Sequence, residues 1–178
     1  MTIPTLTTER LTLQPFKPSD APVMHRILNG KDVLKYFPGN QSLSLEQVQN
    51  MIDRILRHWD EHHYGLWAVK LPEHPEIVGR CGLQYLAEAD GVEVEVDFIL
   101  DRPFWGQGIA TEAGKASLNF GFDMLGLNEI TGLVHPENVA SQRVLEKIGM
   151  TFDKEAEYFG MVVRRYVLAK PTVHSDSA

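Results

Sequence analysis

A strand pattern, a glycine-containing turn and a helix pattern follow one another near the middle of this chain. Residues 92–100 alternate as a β-strand does, residues 101–107 read DRPFWGQ, and a helical pattern runs from residue 108 to residue 124. Backbone N–H groups in the first turn of a helix lack intrahelical partners, and the helix dipole adds partial positive charge there. Gly106 and Gly108 allow a phosphate to approach the backbone and permit positive φ angles. The segment therefore favours an anion site at the helix start.

Neither of two common nucleotide-binding glycine motifs fits this turn. The dinucleotide fingerprint G-x-G-x-x-G fails at its third glycine, which is Thr111 here, and no acidic ribose ligand follows at the expected spacing. The P-loop pattern G-x-x-x-x-G-K-[ST] is absent. Spacing alone is equally compatible with an anion site and with a tight turn that binds nothing, so the wider sequence has to decide.

Three separated segments carry a resemblance to a known family. They read LTTERLTLQPF at residues 6–16, WGQGIATEA at residues 105–113 and NVASQRVLEKIG at residues 138–149. In this order they resemble the GNAT superfamily of N-acetyltransferases, and more narrowly its RimJ/RimL-like branch of ribosomal-protein N-terminal acetyltransferases. The resemblance runs over residues 6–169, nearly the whole chain. It implies transfer of an acetyl group from acetyl-CoA to a primary amine, which is a ribosomal-protein N-terminus or a small amine. A homodimer is suggested only by analogy.

Length, charge and cysteine content narrow the class of protein. The 178 residues suit one domain over residues 1–169, with a short polar tail at 170–178 that we expect to be flexible. A formal net charge of −7 argues against binding to nucleic acid or to an anionic membrane, and it is compatible with a cationic acceptor. Cys81 is the only cysteine, so no intrachain disulfide can form. We find no secretory signal and no apolar stretch of about 20 residues, and therefore expect a cytoplasmic protein.

The order of the other elements predicts an α/β protein with a mixed sheet. Strand patterns alternate with helix patterns in the second half of the chain, which favours some parallel pairing and helices on both faces of the sheet. The resemblance implies a GNAT-like fold with six to seven strands and about four helices, in which the strands at 92–100 and 129–134 part at their carboxyl ends to admit pantetheine. Ser19 is expected to cap the first helix, and Ser44 with Gln47 to form a capping box on the second.

Acetyl-CoA needs N–H donors for its pyrophosphate, an unpaired strand edge for its pantetheine arm, and polar groups near its thioester. The residues expected to supply the N–H donors are Gly106, Gln107, Gly108, Ile109, Ala110 and Thr111. Phe98, Ile99 and Leu100 lie immediately before the turn and can offer backbone groups. The resemblance also implies that Asn138 and Ser141 face the cofactor, although Asn138 is equally suited to capping its helix. Trp105 is expected to pack over the turn.

An amine acceptor has to lose a proton before it attacks, and a carboxylate is the natural base. Alternation places Glu93, Glu95 and Asp97 on one face of the strand at 92–100, with successive acids roughly 6.6 Å apart. Like charges at so short a distance raise the pKa of at least one of the acids if they are partly buried. We expect Glu93 to be solvated and rank Glu95 and Asp97 together as candidate bases. Glu157 follows them, because AEYFG at residues 156–160 resembles the segment with the proposed base in ribosomal-protein serine acetyltransferases.

The leaving thiolate raises a separate question. Many GNAT proteins carry a tyrosine four residues beyond the position of Ser141 as the acid, whereas this chain has Leu145. The resemblance therefore implies Ser141 as the thiolate partner, but a thiol with a pKa near 8.5 can also leave without an acid. The missing tyrosine keeps an alternative open, namely a non-catalytic acyl-CoA-binding sensor or scaffold module.

The chain also contains HWDEH at residues 58–62, which fits the zinc-peptidase pattern H-x-x-E-H. The run lies at the polar end of an amphipathic helix, and no third ligand is identifiable, so we predict a solvated helix end and no metal site. His135 precedes Pro136 near the predicted cleft, where a role in the turn is favoured over catalysis.

Overall fold

The computed structural model describes residues 2–86 and 93–171. Within them lie eight strands: β1 (Leu6–Thr7), β2 (Thr12–Gln14), β3 (Leu66–Lys70), β4 (Ile77–Leu86), β5 (Glu93–Leu100), β6 (Glu129–Val134), β7 (Thr151–Tyr158) and β8 (Met161–Ala169). The α-helices are α1 (Ala21–Leu28), α2 (Leu45–His62), α3 (Ile109–Asn119) and α4 (Val139–Lys147), and a π-helical turn at Phe120–Met124 extends α3. The turn predicted at residues 89–91, the first residue of the strand predicted at 92–100 and most of the predicted tail lie outside the described residues.

The strands form one mixed sheet in the order β1-β2-β3-β4-β5-β6-β8-β7. β5 and β6 are parallel, and the other neighbouring pairs are antiparallel. The predicted mixed α/β fold is therefore confirmed, with one strand more than the expected six to seven. The extra strand arises because β1, which has two residues, pairs with β2 through Leu6 and Leu13. A strand that short leaves no alternation to detect in a sequence.

Helices cover both faces of the sheet, as the sequence predicts. Met51 of α2 contacts Arg80 of β4, whereas Ser117 of α3 contacts the next residue, Cys81. Because neighbouring residues of a strand point to opposite faces, these two helices lie on opposite sides of β4. None of the helices described in residues 2–86 and 93–171 is long and apolar enough to cross a bilayer.

The ends of the first two helices follow local side-chain chemistry. The predicted capping box of α2 is present: Gln47 N donates to Ser44 Oγ at 3.2 Å, and Ser44 N donates to Gln47 Oε1 at 2.7 Å. The prediction that Ser19 caps α1 is wrong. Ser19 lies inside a 3₁₀ turn, Pro18–Asp20, and the Asp20 carboxylate accepts from Lys17 N at 2.8 Å. The acid closes this turn first, so α1 begins at Ala21.

A fork between β5 and β6 positions the candidate site. Within the described strands, Glu95 and Thr131 are the paired residues that join β5 to β6. Beyond them β5 remains paired with β4 as far as Leu100, opposite Gly79, while β6 pairs with β8. The edge of β5 that faces β6 is therefore open at its carboxyl end, immediately before the glycine turn and α3.

Candidate functional site

A cavity of about 630 Å³ lies at this open end, between the glycine turn, α4 and a segment that follows α1. The predicted cofactor-binding positions that line it are Phe98, Ile99, Leu100, Gly106, Gly108, Ile109, Ala110, Thr111, Asn138 and Ser141. Gln107 is the predicted position that does not line it. Its side-chain Nε2 donates to Pro103 O at 2.8 Å, and its carbonyl accepts from Arg10 Nη1 at 2.9 Å. Gly106 and Gly108 therefore line the cavity, whereas the exposed Gln107 between them bonds back to Pro103.

The glycine turn has a backbone that requires glycine. Gly106 has φ +73° and Gly108 has φ +78°, a left-handed conformation that other residues adopt only at a cost. The first bond inside α3 runs from Glu112 N to Gly108 O at 3.0 Å. The N–H groups of the preceding residues therefore have no partner within the helix. A Cβ built on Gly106 meets no atom within 4 Å, since it would project into open space. The turn is an exposed cradle of N–H donors with the positive end of a helix behind it.

Trp105 connects the turn to the end of β5. Its indole Nε1 donates to Leu100 O at 2.8 Å, while the side chain stays 44% exposed and lines the cavity. The residue therefore does more than pack over the turn as expected, because it also forms part of the cavity wall.

The start of α4 forms the opposite wall. Asn138 Oδ1 accepts from Ser141 N at 3.2 Å, so Asn138 caps the helix and also lines the cavity. Arg143 and Lys147, four residues apart on α4, line the same wall and were missed by the sequence reasoning. With Lys35 they place three basic residues against the two acidic ones in the cavity lining, Asp32 and Glu137, in a chain whose net charge is −7.

The third wall is the segment 32–37, for which the sequence offered no motif. Tyr36 stacks on His135 with ring centroids 5.1 Å apart, which joins this segment to the loop after β6. Asp32 Oδ2 lies 2.9 Å from Arg102 Nη1, which joins it to the turn before α3. His135 thus contacts segment 32–37 in addition to its expected place in a turn.

Glu95 lies at the fork with its carboxyl group enclosed. The residue is 6% exposed, Oε1 accepts from Leu133 N at 3.3 Å, and Oε2 accepts from Gln84 Nε2 at 3.1 Å. Burial, and then the negative charge of Asp97, raise the pKa of Glu95 to about 8. Where β6 separates from β5, the Glu95 carboxyl group thus provides the acceptor for the backbone N–H of Leu133.

The other predicted acids have different environments. Asp97 is 8% exposed, and its Oδ2 lies 2.8 Å from Arg80 Nη2, although the two groups are not aligned as a hydrogen bond. The expectation that Glu93 is solvated is wrong, because Glu93 accepts hydrogen bonds from Tyr158 and from the buried Arg165. Glu157 is exposed on the edge strand β7, two strands beyond β6. The residues that line the cavity do not include Glu95, Asp97 or Glu157.

Both histidines of the run at 58–62 contact neighbouring groups of the protein. His58 Nδ1 lies 2.7 Å from Tyr64 O and its Nε2 accepts from Tyr85 N at 3.2 Å, while burial lowers the pKa of His58. His62 stacks on Tyr85 with ring centroids 5.6 Å apart. Asp60, Glu61 and His62 are exposed, as predicted for a solvated helix end, whereas His58 is half-buried and Trp59 is buried. In the described parts of the chain no three His, Cys, Asp or Glu side chains are grouped to hold a metal ion.

Comparisons with known proteins agree with this geometry. A family model described as an acetyltransferase (GNAT) domain matches residues 10–151. A relative named "Uncharacterized N-acetyltransferase p20", from Bacillus licheniformis, is 32% identical over 166 residues, which cover 93% of this chain and 89% of the relative. A GNAT-family acetyltransferase from Bordetella pertussis has a TM-score of 0.81 at 21% identity, covering 93% of this chain and 99% of that one. RimL, a ribosomal L7/L12 alpha-N-protein acetyltransferase in complex with coenzyme A, has a TM-score of 0.78 at 18% identity, covering 95% and 98%. At these identities the two structures support the fold.

Proposed function

Because the chain belongs to the GNAT family of acetyltransferases, we propose that it transfers the acetyl group of acetyl-CoA to a primary amine by direct attack in a ternary complex. The observation that carries this proposal is the 630 Å³ cavity, which joins an open strand edge to an exposed turn of N–H donors. A phosphate-bearing ligand with a long amide-containing arm matches both features. The acceptor is proposed at two levels: a primary amine in general, and a ribosomal-protein N-terminus or a small amine in particular.

The parts of acetyl-CoA match successive walls of the cavity. The pyrophosphate would accept from the N–H groups that follow Gly106, near the positive end of α3. The pantetheine arm would lie along Phe98–Leu100 and pair with the open edge of β5, as an added strand does. Lys35, Arg143 and Lys147 would attract the remaining negative charge, because they make the cavity lining more basic than the chain as a whole.

The chemistry then requires a base for the amine and a place for the leaving sulfur. The amine nitrogen forms a bond to the thioester carbon, the carbon–sulfur bond breaks, and the amine proton passes to a base. We favour Glu95 as that base, acting through water, because it lies at the fork. Its pKa of about 8 is close to that of an α-amino group, so it can take up the proton that the amine loses. Asp97 is less suitable because its carboxylate is ion-paired with Arg80, and Glu157 is less suitable because it lies on the edge strand. Ser141 is the proposed partner of the departing thiolate.

Calorimetry with acetyl-CoA, followed by thiol release in the presence of amines, tests the proposal. The amine panel should contain polyamines, amino-acid amides and basic peptides with free N-termini. Micromolar binding with amine-dependent thiol release is the expected result, and the preferred amine identifies the acceptor class. Binding without release across the panel would support the alternative of a non-catalytic acyl-CoA sensor. Absence of binding would overturn the proposed role of the glycine turn.

A further inference from the structure

The opening motif of the chain contacts the start of α3, more than 90 residues away. Glu112 lies in the first turn of α3, and its carboxylate accepts from three groups of the segment before β2. Thr8 Oγ1 donates to Oε1 at 2.6 Å, Arg10 N donates to Oε1 at 2.8 Å, and Arg10 Nε donates to Oε2 at 2.7 Å. A carboxylate with three donors holds two distant segments in one geometry. Burial alone would raise the pKa of Glu112, but the hydrogen bonds from Thr8 and Arg10 together outweigh it and lower that pKa.

The same arginine also contacts the glycine turn. Arg10 Nη1 donates to Gln107 O at 2.9 Å, and its Nη2 lies 3.3 Å from where a Cβ on Gly108 would be. The carbonyl of Gln107 and the N–H of Gly108 belong to one planar peptide unit and point in opposite directions. By holding the carbonyl, Arg10 directs the Gly108 N–H away from itself. One guanidinium therefore fixes the orientation of a turn peptide and, through Glu112, the first turn of the helix behind it.

We propose that Arg10 is a positioning residue for acetyl-CoA, which acts through Gln107 and Glu112 to preorganise the N–H groups of the glycine turn. The inference rests on the proposed function of that turn, but it concerns residues that do not line the cavity. It also gives a physical reason for the motif T-x-R at residues 8–10, since the hydroxyl and the guanidinium meet the same carboxylate. Preorganisation strengthens binding by removing the cost of ordering donors when the ligand arrives.

The test is the affinity for coenzyme A and acetyl-CoA in Arg10→Gln and Glu112→Gln. Each change is expected to raise the Kd of coenzyme A about tenfold, because each removes charge-assisted bonds that join Arg10 to the start of α3. The KM for acetyl-CoA should rise by a similar factor, with kcat at saturation and the KM for the amine nearly unchanged. Because both residues act on one turn, the double variant should weaken binding less than the product of the two single effects. Arg10→Lys keeps the charge but loses the planar set of guanidinium donors, so its Kd should fall between those of the wild type and Arg10→Gln.

Arg54→Gln, at an exposed arginine of α2, is the matched control and should leave the Kd unchanged. A Kd in Arg10→Gln within twofold of the wild-type value would overturn the inference, and so would a lower Tm with unaltered binding at 25 °C. If Arg10→Gln does not fold, Glu112→Gln and Arg10→Lys decide by the same measure. Failure of the wild-type protein to bind coenzyme A would instead overturn the proposed function, so the two failures are distinguishable.

Discussion

Glu95 occupies a position where a carboxylate is costly to ionise. It receives two hydrogen bonds, from Gln84 and Leu133, but the nearby cation Arg80 is paired with Asp97. Burial and the charge of Asp97 therefore raise the pKa of Glu95 to about 8, so that the group keeps its proton below about that pH. A base with this pKa is protonated and inactive in acidic solution and becomes available as the pH rises.

The pH dependence of acetyl transfer tests this assignment. In the wild type, kcat/KM is expected to fall as the pH drops below about 8, because Glu95 then holds its proton. Glu95→Gln should lower kcat/KM about a hundredfold at pH 8 and leave only the titration of the amine itself. Asp97→Asn should shift the rising limb to lower pH, since the charge that raises the pKa of Glu95 is gone. An unchanged profile in Glu95→Gln would move the base elsewhere.

Gly106 and Gly126 provide a matched pair for the turn. Both have positive φ, +73° and +67°, and a Cβ on either meets no atom within 4 Å, but only Gly106 lines the cavity. Alanine at either position should cost about 1 kcal/mol of folding stability, because a left-handed backbone is strained for alanine. Gly106→Ala should also weaken acetyl-CoA binding at least about tenfold by occupying the cradle, and Gly126→Ala should not. Calorimetry beside thermal unfolding separates the two effects, and equal affinities would contradict the assignment.

At the scale of elements, α4 contributes both a cap and a basic face to the cavity. Arg143→Gln and Lys147→Gln should each raise the Kd of acetyl-CoA about threefold, and together they should reduce its salt dependence, because exposed charges act weakly and are screened. Lys115→Gln, on the exposed side of α3, is the control, since Lys115 does not line the cavity. A Kd that stays constant in the double variant, at low and high salt, would remove α4 from the anion site.

Elements with a strong local signal could be predicted from the sequence. In α2, Val48, Ile52, Ile55 and Trp59 are buried and recur at helical spacing in the sequence, and the capping box is formed by neighbours in the chain. The cavity-lining residues of segment 32–37 could not be predicted, because their positions depend on contacts with His135 and Arg102, about 70 residues or more away. The partners of Glu93 and Asp97 depend on strand register, which a list of alternating acids does not contain.

At the scale of the whole molecule, Arg165 connects the two sides of the fork. Its guanidinium lies within hydrogen-bonding distance of Glu93 on β5, Glu129 and Thr131 on β6, and Asp153 on β7. The side chain is 11% exposed, so these acceptors replace most of the water that would otherwise solvate the guanidinium. Arg165 lies on β8, and the network joins this strand to β5, β6 and β7. It therefore links β5 to β6, which share little backbone pairing of their own.

Arg165→Met is therefore expected to destabilise the protein by about 2 kcal/mol, because it leaves the partly buried carboxylate of Glu93 and the more exposed ones of Glu129 and Asp153 without their shared cation. Chemical denaturation at pH 7 measures the change, and Arg54→Gln, at an exposed site, should alter stability by less than about 0.5 kcal/mol. A loss in Arg165→Met as small as that of the control would show that the network contributes little.

The fork has a consequence for what the sheet is made of. The open edge of β5 leaves main-chain groups at residues 98–100 without a neighbouring strand from β6. If the pantetheine arm lies there as proposed, the donor substrate becomes a temporary ninth member of the sheet. The edge of β5 would then be paired while acetyl-CoA is bound and unpaired again after coenzyme A leaves. In this protein a reactant would therefore also complete the hydrogen bonding of the sheet.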